Sequence, residues 1–338
     1  MEDARQQTDV AIIGAGPVGL FAVFECGMLE MRCHLFDALE APGGQCSALY
    51  PEKPIFDIPG HPRIDAGELV DRLVDQAAPF APVYHLGDAV ARLDADPAGF
   101  IVETAAGLAV AARAVIIAAG AGAFGPNRPP LAGIESFEGH SVFYLVRRRE
   151  DFRGRRIVIA GGGDSAVDWA LSLAEVARHV IIVHRRAKFR AAPQSVARLE
   201  RLREAGRIEL AIPYQLQALE GEAGRLTAVI VATLDGQTRR LEADCLLPFF
   251  GLAANLGPLA RWDLALDQNR IAIDPATAAT SRPGIFAIGD IAAYPGKLKL
   301  ILSGFAEAAI AAHAIHPLVH PGRALHFEYS TTKGVPGR

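Results

Sequence analysis

Short unbroken apolar runs alternate with segments whose apolar residues recur at helical spacing, and this alternation occurs in full twice. The first run, VAII at 10–13, enters Gly14-Ala15-Gly16-Pro17-Val18-Gly19. A helix-like segment follows, with Leu20, Val23, Phe24 and Gly27 on related faces, and then a second apolar strand within MRCHLFDA, 31–38. The second cycle runs from RIVIA, 156–160, through Gly161-Gly162-Gly163-Asp164-Ser165-Ala166 and a helix over 166–177 to VIIVHRR, 180–186. Each cycle reads as a strand–turn–helix–strand unit of a parallel sheet.

The intervening segments fill in the layers. Residues 66–78 read as an amphipathic helix, and 83–120 alternate and turn like a β-meander closing on the buried strand VIIAA. The Gly- and Pro-rich stretch 43–60 reads as loop. Residues 193–212 give a helix and an edge strand, and 227–251 a hairpin about Asp235-Gly236. A last strand ends in Gly289-Asp290 and is followed by a helix over 303–319. The expected fold class is α/β: two Rossmann-like dinucleotide-binding domains, the second inserted into the first. The expected bounds are 1–120 with 248–338 for the first domain and 121–247 for the second.

The glycine spacing has a physical reason. Gly14, Gly16 and Gly19 provide a tight turn, close approach of a pyrophosphate, and helix-on-strand packing. The helix that starts beside Pro17 turns its backbone N–H groups toward the phosphates. Asp37 ends the next strand at the distance where an acid accepts hydrogen bonds from a ribose 2′-OH. At the second site, Gly161, Gly162 and Gly163 lead into Asp164 and Ser165, but the strand end carries His184-Arg185-Arg186 where an acid would stand. A carboxylate repels a 2′-phosphate, whereas a guanidinium binds it bidentately, so this site should prefer NADPH; Arg190 is placed to add a contact. Two nucleotides on one chain suggest an enzyme that moves electrons between them.

Composition narrows the class rather than the chemistry. With 51% hydrophobic and 21% charged residues in 338, the chain has room for about two globular domains. A net charge of −4 argues against general nucleic-acid binding. No uninterrupted apolar run approaches the ~18 residues of a membrane span, and MEDARQQTD lacks the features of a signal peptide. No membrane role and a cytoplasmic location are therefore expected. Cys26, Cys33, Cys46 and Cys245 include no C-x-x-C, so neither a disulfide framework nor a zinc ligand set is expected.

Residues 43–53, with GGQ followed by ALYPEK, resemble the ferredoxin–NADP reductases built on the thioredoxin-reductase scaffold. The resemblance covers nearly the whole chain, with the motifs in family order. It implies a homodimeric thioredoxin-reductase-like FAD enzyme that takes a hydride from NADPH at flavin N5 and passes single electrons to ferredoxin or flavodoxin. It places Tyr50 on one face of the isoalloxazine ring, Gln45 and Phe124 beside the flavin, Val90 beside the adenine, and Asp290 at the ribityl–pyrophosphate region. In the tail, Tyr329 would cover the other ring face across the dimer, followed by Ser330 and Thr331. The flavin carries the chemistry, and no side-chain acid or base is nominated.

The same resemblance supplies its own test. Thioredoxin reductases carry a C-x-x-C ahead of the second fingerprint, where this chain has Tyr144-Leu145-Val146-Arg147. The glutathione-reductase pattern also fails, because Pro51 stands five residues after Cys46. A disulfide reductase and a non-catalytic FAD/NADPH redox sensor are the alternatives. An acidic ferredoxin calls for a basic face, and Arg147–Arg149, Arg153, Arg155 and Arg156 are the candidates.

Overall fold

A computed structural model of the chain describes residues 6–325 and 330–336. It divides into two compact units, Met1–Phe124 with Ala254–Arg338, and Gly125–Ala253.

In the first unit, strand β1 (Gln6–Ile13) lies inside a seven-stranded sheet, flanked by β2 (Cys33–Asp37) and by Ala109–Ile117. Both neighbours run parallel to it, with Val10 opposite Cys33 and Ala114. Val10, Ala11 and Ile12 are fully buried, as expected of a parallel strand covered on both faces. Ala109–Ile117 is the turning point of the sheet. On its other side come Gly99–Thr104 and Val90–Asp96 in antiparallel meander, while Ile285–Ala287 adds a parallel partner. One face carries helix α1 (Pro17–Met28), which packs against Ala66–Ala77 and against the long helix Ile301–Val319. Proline at the first helical turn of α1 gives up an N–H that has no intrahelical partner there.

The second unit has a four-stranded parallel sheet in the order Ile208–Ala211, His179–Val183, Arg156–Ala160, Cys245–Pro248. Beside it lies a separate antiparallel sheet of Gln215–Glu222, Arg225–Ala232 and Thr238–Glu242. The Asp235-Gly236 hairpin is thus the second half of a three-stranded meander.

Two sequence expectations change. The stretch 43–60 is not all loop: Gly43, at φ +111°, turns the chain into a short helix, Gly44–Ala48. The last helix begins at Ile301, two residues earlier than its pattern suggested, and by length and composition its 19 residues could cross a membrane. Its contacts give the reason for that apolarity. Gly304, Ala308, Ala311, Ala312 and Ile315 are buried, the last four within the first unit's own core, so one face of this helix is packed inside the fold.

Candidate functional site

In the first unit a cavity of about 390 Å³ opens at the C-terminal ends of β1 and β2. Gly14, Gly16, Pro17, Asp37, Gln45, Tyr50, Val90 and Asp290 all line it. The glycines do different work. Gly14 sits at φ +112°, and a Cβ there would lie 2.3 Å from the Ala118 carbonyl oxygen. Gly19 is not part of that lining; its Cβ would fall 1.9 Å from the Gly14 carbonyl oxygen, so it sets how closely α1 approaches the turn. A Cβ on Gly16 would meet only the Gly44 Cα, at 3.9 Å, which leaves that side open to a ligand.

Asp37 is held by the turn it serves. Its carboxylate accepts the Ala15 N–H at 2.7 Å and the Leu39 N–H at 2.9 Å. Burial pushes its carboxyl above the usual carboxylate range, while those backbone donors and that of Ala38 pull it back. Tyr50 packs against the core cluster that holds Cys46. Burial pushes the Tyr50 phenol up, and lifts the Cys46 thiol to about 11, so Cys46 stays a protonated thiol near neutral pH.

Other cavity residues escaped the sequence reading. Leu256, Leu259 and Trp262 come from the segment where the chain re-enters the first unit, and Leu300 and Ile301 from the start of the long helix. The three-residue spacing around the helical turn Gly257–Arg261 was the available signal. Phe36 forms another wall and is backed by His85, stacked on it at 4.7 Å between centroids. His85 Nε2 lies 3.0 Å from His34 Nδ1. Burial, then the neighbouring His85 and Arg32, lower His34 to about 4.

The tail is described only in part. Tyr329 lies outside the described residues, as does the side chain of Phe124, whose backbone belongs to the strand Ala123–Pro126. Ser330 and Thr331 begin a short helix, Ser330–Lys333, with Thr331 exposed.

In the second unit the glycine turn and the basic strand end are brought together by the backbone. After His179–Val183 the chain curls back, and the Arg190 N–H donates to the Gly162 carbonyl at 2.7 Å. A bridge between Gly163 and Arg190 completes the clasp. The His184 ring lies beneath the turn, stacked on Phe189 at 5.2 Å, and a Cβ on Gly162 would come within 2.2 Å of it. Burial, and after it the surrounding arginines, hold His184 below the ordinary histidine range. Its Nε2 is buried with no hydrogen-bond partner. Arg185, Arg186, Lys188 and Arg190 are exposed, and none forms an ion pair among the described residues. Gly163 ends at open space and caps the helix Asp164–Leu173. Asp164 turns away to accept the Ala192 N–H at 2.9 Å, and Ser165 is exposed in the first turn.

The other basic cluster behaves differently. Arg148 pairs with Asp151 at 3.4 Å, Arg149 with Glu175 at 3.0 Å, Arg153 with Glu150 at 2.7 Å and Arg156 with Asp244 at 2.7 Å. Arg155 donates to the Cys245 sulfur at 3.3 Å. Of that cluster Arg147 alone keeps neither partner among the described residues, so most of its charge is compensated internally.

All four cysteines are free and buried, and 144–147 hold a tyrosine bonded to Glu138 at 2.5 Å rather than a dithiol. The pyridine nucleotide-disulphide oxidoreductase family matches residues 8–314. The chain belongs to this family, in its ferredoxin–NADP reductase branch. A ferredoxin–NADP reductase of Paramagnetospirillum magneticum is 66% identical over 334 residues, covering 98% of this chain and 99% of that one. One of Rhodospirillum rubrum is 64% identical over 335 residues, covering 98% and 97%. Among solved structures, thioredoxin reductase of T. acidophilum superposes with a TM-score of 0.81 at 23% identity, over 92% of this chain and 98% of that one. That of Lactococcus lactis gives 0.79 at 24%, over 93% and 99%. At such identities the family's structural likeness is one of fold, and the thioredoxin-reductase-like α/β architecture is shared.

Proposed function

We propose that the chain is a ferredoxin–NADP reductase: an NADPH-dependent FAD enzyme that exchanges electrons with a ferredoxin or flavodoxin. The observation that carries this reading is a basic arm, without ion-pair partners among the described residues, clasped to the second glycine turn of a chain whose sequence has no C-x-x-C. When bound, FAD supplies the conversion between paired and single electrons. The first cavity suits it on its own geometry: an open approach at Gly16, an acid fixed beside the turn at Asp37, and apolar walls from Phe36 to Trp262.

Asp37 would hold the ribose, the α1 N-terminus with Gly14, Gly16 and Pro17 the pyrophosphate, and Val90 the adenine side. Gln45, Tyr50 and Phe124 would contact the ring system, with Asp290 at the ribityl–pyrophosphate end. Tyr329, Ser330 and Thr331 would reach the other ring face from the second subunit of a homodimer. In the second unit Gly161, Gly162 and Gly163, with Asp164 and Ser165 at the helix start, would cradle the NADP pyrophosphate. His184, Arg185, Arg186 and Arg190 would surround the 2′-phosphate. The first unit is thus the FAD domain and the second the NADPH domain. Neither nucleic acid nor membrane has a part in this activity, and a cytoplasmic setting agrees with four unpaired thiols.

Purified protein should reduce cytochrome c with NADPH only when a purified cognate ferredoxin is added. No ferredoxin dependence, or rapid reduction of dithionitrobenzoate through a thioredoxin, would contradict the proposal and favour a disulfide reductase.

A further inference from the structure

The long helix Ile301–Val319 carries a carboxylate into the interior of the first unit. Glu307 is only 4% exposed, yet three donors converge on it. Gly289 donates its N–H to Oε2 at 2.7 Å, the Tyr294 hydroxyl donates to Oε1 at 2.8 Å, and the Lys297 ammonium donates to Oε1 as well. The Lys297 side chain is itself 2% exposed. Much of the attraction between two buried charges is offset by their desolvation, and an apolar pair of like volume is often as stable. The arrangement therefore points to position rather than to stability.

What the carboxylate holds is the cavity wall. Gly289 is at φ +75°, and the next residue, Asp290, lines the cavity. Tyr294 and Lys297 lie on the segment leading from that turn to Leu300 and Ile301, which also line it. Gly304 closes the arrangement from the helix side: a Cβ there would meet Val18 Cγ2 at 2.4 Å and Gly289 Cα at 3.3 Å. Glu307, Lys297 and Tyr294 are not themselves among the lining residues.

We propose that Glu307 is a positioning residue that fixes the Gly289–Asp290 turn through the Gly289 amide, with Lys297 balancing its charge, and so sets how tightly FAD is held. The inference rests on the reading of this cavity as the FAD site. Glu307→Ala removes the acceptor of the Gly289 amide and leaves Lys297 buried and unpaired. Glu307→Gln with Lys297→Met keeps an oxygen for the amide and removes both charges.

The test is the rate of FAD release from the purified full-length holoprotein, followed by the rise of free-flavin fluorescence, together with the visible circular dichroism of the bound flavin. Release from E307A should be at least about tenfold faster, with an altered flavin dichroism, while the E307Q/K297M protein stays within about threefold of wild type. Binding of 2′,5′-ADP to the second unit should be unchanged in both, which separates a local effect from general unfolding. If E307A does not fold, Glu307→Asp, which withdraws the carboxylate by one methylene, is held to the same expectation. Release from E307A or E307D within threefold of wild type overturns the proposal, as does release from E307Q/K297M as fast as from E307A. Wild-type protein that holds no FAD at all overturns the cavity reading itself.

Discussion

Replacing Arg185 and Arg186 with alanine should separate the two nicotinamide nucleotides. Both side chains are exposed, and neither has a carboxylate partner among the described residues, so binding a phosphate breaks no existing ion pair. A hydrogen bond to a charged group contributes about 1.5–3 kcal/mol, and exposure at physiological ionic strength favours the lower end. At about 1.4 kcal/mol per decade, each arginine accounts for roughly a tenfold change and the pair for about a hundredfold. Two arms remain, Lys188 and Arg190, so binding weakens without vanishing. The assay is steady-state oxidation of NADPH and of NADH with ferricyanide as acceptor at fixed ionic strength, supported by the Kd of 2′,5′-ADP. KM for NADPH should rise by about two decades while KM for NADH stays near its wild-type value, and the salt dependence of the NADPH KM should flatten. Equal effects on the two nucleotides, or none on either, would refute the 2′-phosphate assignment.

Gly162→Ala should cost about 1–3 kcal/mol of stability by forcing the new Cβ into the His184 ring, and it should weaken NADPH binding more than FAD retention. The double variant with His184→Ala should recover most of the loss in Tm. His34 is neutral in the folded protein down to about 4, whereas an unfolded chain binds its proton near 6.5. Its contribution is therefore complete above about pH 6.5 and is lost as pH falls toward 4, at most about 3 kcal/mol. Urea denaturation of the holoprotein at pH 7 and pH 5 should show this loss, and H34Q should reduce it; an unchanged pH slope in H34Q would be contrary. Removing whole ion pairs, Arg148→Ala with Asp151→Ala and Arg153→Ala with Glu150→Ala, should leave the salt dependence of ferredoxin reduction nearly unaltered, since each pair is neutral as a unit. A marked flattening of the stopped-flow rate against salt would restore that face as a steering surface.

The parts that were legible in the sequence are those where backbone geometry restricts residue choice. Gly14 and Gly19 tolerate no side chain, Asp37 ends a strand that the apolar pattern marks, and Arg185 and Arg186 stand where a strand ends. Each depends on neighbours close in sequence or on one strand–turn–helix unit. What was not legible depends on partners brought from afar. Arg156 looks like free positive charge until Asp244, 88 positions away, is folded beside it. Phe36 reads as an ordinary strand residue, but its role as a cavity wall depends on a histidine from another strand. Leu256, Leu259 and Trp262 carry helical spacing, yet only the chain's return to the first unit gives that face an address. Glu307 is similar: on an alanine-rich helix it reads as a polar interruption, and its three donors come from a turn and a loop ahead of it.

With the arm binding the 2′-phosphate as proposed, the clasp between Gly162 and Arg190 would make nucleotide preference a cassette. The arm leaves the sheet at His184, whose N–H donates to the Ala211 carbonyl at 3.1 Å, and is pinned again at Arg190 by the glycine turn. From anchor to anchor, the seven residues His184–Arg190 carry the cations and the ring that supports the turn. Evolution, or an engineer, can exchange the segment as one piece with its endpoints fixed. A single charge reversal inside it leaves His184, Phe189 and the remaining cations tuned to the old ligand.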